Sequence, residues 1–306
     1  MSSTIRQIVF LVGVTGKTGG SIAEALAKQP EKFELRTIVR SSSVDKPFIK
    51  ELASLGVKII TGDIVNDPQD TLEAHLKDVD TVIIASVPLP EGHQDNLIRA
   101  AKAAGVKRVV PSDFATYAPP GSMQGQDMKV RTQKFITDND IPHTFILVGI
   151  WPDAVLPLPH AVDGGPVANF FQKQFQGPGN VKTSWTALER VGDFVARIIS
   201  DPRTLKRTVQ TWDGESTLGE MYELASKVTG ENFDDYHKLS VDEVESKCGN
   251  DFLPSIPYEY SRSVWLRGEN TVKAAVAAGA LDARALYPDY TPLPLEEFVR
   301  KFYRKQ

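Results

Sequence analysis

Gly13-Val14-Thr15-Gly16-Lys17-Thr18-Gly19-Gly20 decides how this chain is read. An apolar run, residues 8–12, leads into it, and Ile22, Ala25 and Leu26 follow at helical spacing. A strand that enters a helix through three spaced glycines suits a diphosphate. The first glycine makes the turn, the second lets the backbone approach the ligand, and the third lets helix and sheet sit close. Gly13, Gly16 and Gly19 take those roles here, with Thr15, Lys17 and Thr18 beside them at the positive end of the helix. Gly16-Lys17-Thr18 also looks like the end of a nucleoside-triphosphate loop. That motif needs glycine six positions before its lysine, and position 11 is leucine, which disfavours triphosphate hydrolysis.

Outward from the loop, short apolar runs recur at 35–39, 57–60, 81–85, 108–111 and 144–148, separated by segments of helical period such as Leu97, Ile98, Ala101 and Ala104. Strands apolar on both faces that alternate with helices imply right-handed crossovers and a parallel sheet. The expected fold class is α/β: a Rossmann-type, doubly wound parallel sheet with a smaller, mainly helical substrate lobe. Prolines 152, 157 and 159, followed by Gly164-Gly165-Pro166, read as a long connection. Helical spacing resumes at 188–199, a strand is expected at 208–211, and helices at 218–228, 241–247, 272–278 and 295–303. The expected division is a nucleotide-binding domain of residues 1–152, rejoined by 186–214, and a substrate lobe of 153–185 and 215–306.

With 306 residues, 41% of them hydrophobic, the chain can bury a core without staples. Its single cysteine excludes an intrachain disulfide framework and fits a reducing compartment. A net charge of −4 supplies no pervasive positive field for nucleic acid. No apolar run is long enough to span a bilayer, and the first residues lack a secretion signal. The five histidines show no ligand spacing, so no metal is expected. These features point to a cytoplasmic protein, monomer or homodimer, whose partner is a small molecule.

The second strand ends in Val39-Arg40, where an NAD site would place a carboxylate for the ribose hydroxyls. A guanidinium there clamps a 2′-phosphate, so NADP(H) is the expected cofactor. Lys46 and Lys50 are either secondary phosphate contacts or solvated helix lysines. Asp63, after the third strand, either receives the adenine amino group or caps a turn. Ser86 and Val87, after the fourth strand, are expected along the cofactor, with Pro88 and Pro90 breaking the chain beyond them. Gly149, Ile150 and Trp151 follow the sixth strand, on the side where such sheets bind ligands. Phe114, Met123, Trp151, Leu156, Phe170 and Phe171 are candidates for an apolar wall against an aromatic or polycyclic substrate.

Short-chain dehydrogenases on this fold commonly use Tyr-x-x-x-Lys, and no tyrosine here has a lysine four positions later. The chain instead resembles the isoflavone reductase-like enzymes (phenylcoumaran benzylic ether, pinoresinol–lariciresinol and eugenol-forming reductases) of the NmrA-like, atypical short-chain dehydrogenase family. The resemblance runs through the glycine loop, Val39-Arg40, Pro111-Ser112-Asp113-Phe114, Ile141-Pro142-His143-Thr144, Phe194-Val195-Ala196-Arg197-Ile198, Asp201-Pro202-Arg203-Thr204 and Leu286-Tyr287-Pro288-Asp289. It implies a catalytic lysine thirteen positions before Pro142. That residue is Lys129, which would contact the nicotinamide ribose and act as general acid or base. By spacing alone it reads as a solvated helix lysine. Two departures stand out: Gln133 replaces a family arginine, and Ala115-Thr116 replaces Gly-Met. Tyr117, next in line, is either a proton donor or a packing aromatic.

The function expected from all this is NADPH-dependent reduction of a small apolar, aromatic or conjugated metabolite. Its rival is an NmrA-like NADP(H) sensor that binds dinucleotide and a protein partner without turnover. Redox-neutral use of the cofactor is a third course.

Overall fold

The computed structural model describes residues 6–87, 92–249 and 251–304. From the start, β1 (Gln7–Val12), α1 (Lys17–Ala27), β2 (Phe33–Val39), α2 (Pro47–Ser54), β3 (Lys58–Thr61), α3 (Gln69–His75), β4 (Thr81–Ile84), α4 (Asp95–Ala103) and β5 (Arg108–Val110) alternate. They are followed by α5 (Gln124–Asp138) and β6 (Thr144–Leu147). After α6 (Gly165–Gln172), β7 (Gln174–Gln176) and β8 (Lys182–Trp185) come α7 (Val191–Ser200), β9 (Arg207–Gln210) and β10 (Gly214–Thr217). The remaining elements are α8 (Leu218–Thr229), β11 (His237–Leu239), α9 (Val241–Lys247), α10 (Phe252–Ser261), α11 (Val272–Ala277), β12 (Leu281–Asp282), α12 (Ala283–Leu286) and α13 (Leu295–Tyr303).

Two compact units result. The first comprises Met1–Phe114, Met128–Ile146 and Glu189–Val209. Its sheet runs β3-β2-β1-β4-β5, all parallel, with Val9 beside Leu35 on one side and Thr81 on the other. A bridge from Val109 to His143 carries the parallel order on to β6, which β9 flanks. This is the doubly wound sheet expected from the apolar runs. Phe10, Val12, Val82, Ile84 and Val109 pack against Leu97, Ile98 and Ile136 in one buried cluster. On α1, a Cβ placed on Gly192 of α7 would lie 2.2 Å from the Ser21 carbonyl oxygen. Glycine thus lets α7 lie in backbone contact with α1. Arg108, almost wholly buried, donates to Thr144 Oγ1 (2.9 Å), Thr204 Oγ1 (2.6 Å) and the carbonyls of Ile198 and Asp201 (3.0 Å each). One guanidinium therefore satisfies two chain segments, at 144 and 198–204, both far from it in sequence.

The second unit comprises Ala115–Asp127, Leu147–Leu188 and Gln210–Gln306. Its core gathers Trp185, Tyr222, Phe233, Trp265 and Phe298. Capping boxes start α8 (Thr217 with Glu220) and α9 (Ser240 with Glu243), each satisfying two backbone N–H groups reciprocally. Besides its helices it holds two small sheets, antiparallel β10-β8 and parallel β11-β7. Residues 115–127, expected in the nucleotide domain, belong to the second unit. Ala115 accepts from Val148 N–H, Tyr117 N–H donates to Asn270, and Gln124 N–H donates to Glu259. Gly164-Gly165-Pro166 is also not plain connection: Pro166 stands in the first turn of α6, where a missing N–H costs nothing. Among the described residues no helix is long and apolar enough to cross a membrane.

Candidate functional site

At the end of β1, Gly13 has φ +87°, and a Cβ there would lie 2.2 Å from the Ala85 carbonyl oxygen. Its own carbonyl accepts from Gly16 N–H at 2.9 Å, closing the turn. A Cβ on Gly19 would come within 2.1 Å of that same Gly13 oxygen, so loop and helix touch through backbone. Gly16 differs from both. It is the extended N-cap of α1, exposed, and a Cβ on it would meet only Gly13 oxygen, at 3.3 Å. No side chain caps this helix end and no carboxylate sits in its first turn. Thr15 and Lys17 are exposed and Thr18 half-buried, leaving the first-turn N–H groups of α1 without intrahelical partners.

The loop forms one wall of a cleft of about 410 Å³. Gly13, Thr15, Arg40, Asp63, Ser86 and Val87 all line it, so six residues from four separate βα junctions are brought together. Arg40 is exposed and stands at the end of β2. Asp63 is committed to its turn: its carboxylate accepts from Val65 and Asn66 N–H and from Asn66 Nδ2, and these bonds hold its pKa below the usual value. Of its two readings, the turn cap describes the geometry. Lys50 is not part of the lining; it is exposed and paired with Asp45 at 3.1 Å. Pro88 and Pro90 lie outside the described residues. His93, which sequence reasoning passed over as one of five scattered histidines, is buried against the cleft with Nε2 2.8 Å from Ser86 Oγ.

Lys129 lies on α5, half-buried, its Nζ donating to the backbone carbonyl of Asp113. The Asp113 carboxylate is buried and accepts from Gln133 Nε2 at 2.9 Å, one helical turn beyond Lys129. Desolvation governs both groups. It pushes Asp113 up to about 6 against the pull of Lys129 and Gln133, and Lys129 down to about 8 against the pull of Asp113. Asp113 was not singled out as a site residue from sequence, and Gln133 only as a departure from the family pattern; a carboxylate sixteen residues from Lys129 and twenty from Gln133 carries no local signal. Phe114 follows, buried, at φ +22°, a backbone region seldom used by residues with a Cβ.

The other candidates belong to the second unit. Tyr117 packs against Leu147, Ala275 and Ala280, which is the packing reading. Gly149, at φ +68°, approaches the Ser184 carbonyl so closely that a Cβ would sit 2.3 Å from it, and Ile150 bridges Trp185. Trp151 is half-buried, and its Nε1 finds no hydrogen-bond partner among the described residues. Phe170 and Phe171 meet edge to face, and Phe170 also meets Tyr258, leaving both half-exposed. Met123 is buried. Leu156 is a correction: it is wholly enclosed in the core with Trp185 and Tyr222 and has no face to offer a substrate. His160 is held between Glu231 and Asp235, which raise its pKa. No metal-holding group of side chains occurs among the described residues.

Comparison with known proteins completes the picture. The model of the NmrA-like family matches residues 6–299. The chain is 30% identical to the asnovolin J 5′,6′-dehydrogenase of Aspergillus novofumigatus, covering 96% of this chain and 94% of that one. It is 25% identical to a phenylcoumaran benzylic ether reductase of Nicotiana tabacum, over 96% and 98% of the two chains. Its fold matches the leucoanthocyanidin reductase–NADPH complex from Vitis vinifera with a TM-score of 0.79 at 23% identity, over 96% and 99%.

Proposed function

The chain belongs to the NmrA-like family, and from that premise we propose that it is an NADPH-dependent reductase of a small apolar, aromatic or conjugated metabolite, with Lys129 as general acid–base. The observation that carries this reading is a half-buried lysine, its Nζ donating to the Asp113 carbonyl, in the same unit as a glycine loop that fits a diphosphate. The cleft suits the dinucleotide on its own geometry. Gly16 leaves open the side of the loop that a methyl would fill, the N–H groups of α1 meet the diphosphate, and Arg40 takes the 2′-phosphate. Ser86 and Val87 border the path beyond, and Gly149, Ile150 and Trp151 serve the nicotinamide end. When bound, the nicotinamide supplies a hydride.

This chain's own residues do the rest. Lys129, titrating near 8, is largely protonated at neutral pH and gives its proton to the substrate atom where negative charge develops. Phe114, Met123, Trp151, Phe170 and Phe171 are the proposed apolar wall; Leu156 is not among them. The names of the relatives, a dehydrogenase and a benzylic ether reductase, support a multi-ring or aromatic substrate.

The test is to supply NADPH with a panel of conjugated aromatics and follow the absorbance of the reduced nicotinamide. Turnover should fall at least about 100-fold in Lys129→Ala, the usual worth of a general acid, while NADPH still binds. Tight coenzyme binding without consumption across the panel would favour a sensor, product without net NADPH loss a redox-neutral reaction. Absence of any coenzyme binding would remove all three.

A further inference from the structure

The placement of Lys129 depends on two residues to which the reductase reading assigns no part. Asp113 N–H donates to the Pro111 carbonyl at 2.8 Å, a turn of three residues, and Phe114 follows at φ +22°. This tight bend presents the Asp113 backbone carbonyl to Lys129 Nζ while its side chain stays buried. Gln133 then holds Asp113 Oδ2 at 2.9 Å from the face of α5 that also carries Lys129. Among the described residues Asp113 is the charged group whose field reaches Lys129, and Lys129 the one whose field reaches Asp113; Gln133 adds a neutral hydrogen bond.

We propose that Asp113 and Gln133 are positioning residues for Lys129: Gln133 keeps the Asp113 carboxylate ionised, and Asp113 fixes the ammonium in place by its carbonyl and in charge by its carboxylate. The proposal rests on the reading of Lys129 as the acid–base group. It gives Gln133 a defined task. An arginine there would neutralise Asp113 directly and weaken its hold on the lysine charge, whereas an amide supports the carboxylate and leaves its field intact. Burial sets the outer limits. Asp113 titrates near 6 and Lys129 near 8, so both are charged between those values. Above that window the lysine has no proton to give.

The experiment is carbon NMR of the full chain, labelled at lysine Cε and aspartate Cγ, without coenzyme or substrate. The Lys129 signal is assigned by its loss in Lys129→Arg and the Asp113 signal by its loss in Asp113→Glu, which keeps the buried charge. Removing the negative charge favours the neutral amine, so the Lys129 midpoint should fall by about one pH unit or more in Asp113→Asn. An unmoved or raised midpoint would overturn the proposal. If Asp113→Asn does not fold, Gln133→Leu decides. Losing a bond to the charged form should lift the Asp113 midpoint by about one pH unit, and no change there would refute the pair. In turnover, Asp113→Asn should move the alkaline limb of kcat down in pH and leave the KM for coenzyme unaltered, a split that a general loss of structure does not produce. Because the titrations need neither coenzyme nor substrate, they can fail while NADPH turnover succeeds, and the reverse.

Discussion

A methyl group added to Gly19 would sit 2.1 Å from the Gly13 carbonyl oxygen, 2.6 Å from its carbon and 3.0 Å from Val14 nitrogen. All three are backbone atoms at the tightest point of the loop, so none can swing aside and α1 must back away by about an ångström. Overpacking of this kind costs about 1–3 kcal/mol. Alanine recovers about 0.5–1 kcal/mol of that as a better helix former. With three immovable backbone atoms the upper half of that cost applies, and the net loss of about 1–2.5 kcal/mol lowers the folded-to-unfolded ratio about 5- to 70-fold. Gly16→Ala should behave in the opposite way. Its backbone, φ −87° and ψ 163°, accepts any side chain, and the new carbon meets a single atom at 3.3 Å. The unfolded chain loses entropy worth about 0.4–1 kcal/mol, but alanine caps a helix less well than glycine and the Gly13 oxygen must give way slightly, so stability should change by less than about 1 kcal/mol. The same methyl stands where a diphosphate would come closest, so NADPH affinity should fall at least about tenfold, or about 1.4 kcal/mol. Urea denaturation with and without NADPH, together with titration calorimetry, separates the two effects. The reasoning is refuted if Gly19→Ala unfolds at the wild-type midpoint, or if Gly16→Ala binds NADPH as tightly as the parent.

Arg40→Glu should weaken NADPH binding about 10- to 100-fold and improve NADH, as expected for losing a charged hydrogen-bonded partner worth about 1.5–3 kcal/mol; an unchanged NADPH/NADH ratio, measured by calorimetry, would remove Arg40 from the phosphate site. Arg108→Met should lower stability by about 3 kcal/mol or more, because the carbonyls of Ile198 and Asp201 lose their buried donor; the check is the denaturant midpoint. His160 is raised by Glu231 and Asp235, so the stability it lends is complete below its ordinary 6.5 and fades as pH climbs through the raised folded value. His160→Gln should therefore cost more Tm near pH 6 than near pH 8, and equal losses at both would contradict the pairing.

The elements legible in the sequence were those whose burial is written in consecutive or periodic apolar residues. The five strands of the main sheet and β6 fell near their expected positions, and α9 and α13 began and ended on the expected residues. The missed strands have another composition. Lys182–Trp185 and Gly214–Thr217 are mostly polar, and Asn270 bonds Thr183 and Ser184 side by side, so their burial is settled by hydrogen bonding at long range. Helix α10 was hidden by Pro257 in its interior, a residue that usually ends a helix; it runs on into a π-helical turn, Arg262–Leu266. In the site, the glycine loop, Arg40 and Ser86 could be read because strand ends converge by topology. Asp113 and Gln133 could not, since each takes its character from a group sixteen or twenty residues away, and His93 could not because its contact with Ser86, seven residues back, matches no motif. Leu156 and Trp151 look alike as apolar cap residues; only packing tells the enclosed one from the one with an unmet N–H.

The buried guanidinium of Arg108 also bears on the order in which the protein can be made. Its acceptors at Ile198, Asp201 and Thr204 leave the ribosome some ninety residues after it does, and the groove at Ser21 and Ala25 waits for Gly192 over a still longer interval. A nascent chain that has emerged only as far as β6 therefore holds a nearly finished sheet with a charge and an open groove inside it, and a fragment cut there should not be an autonomous module. Exchanging coenzyme specificity between relatives by grafting the first 150 residues would leave this clasp behind; the transplant has to carry 189–209 as well.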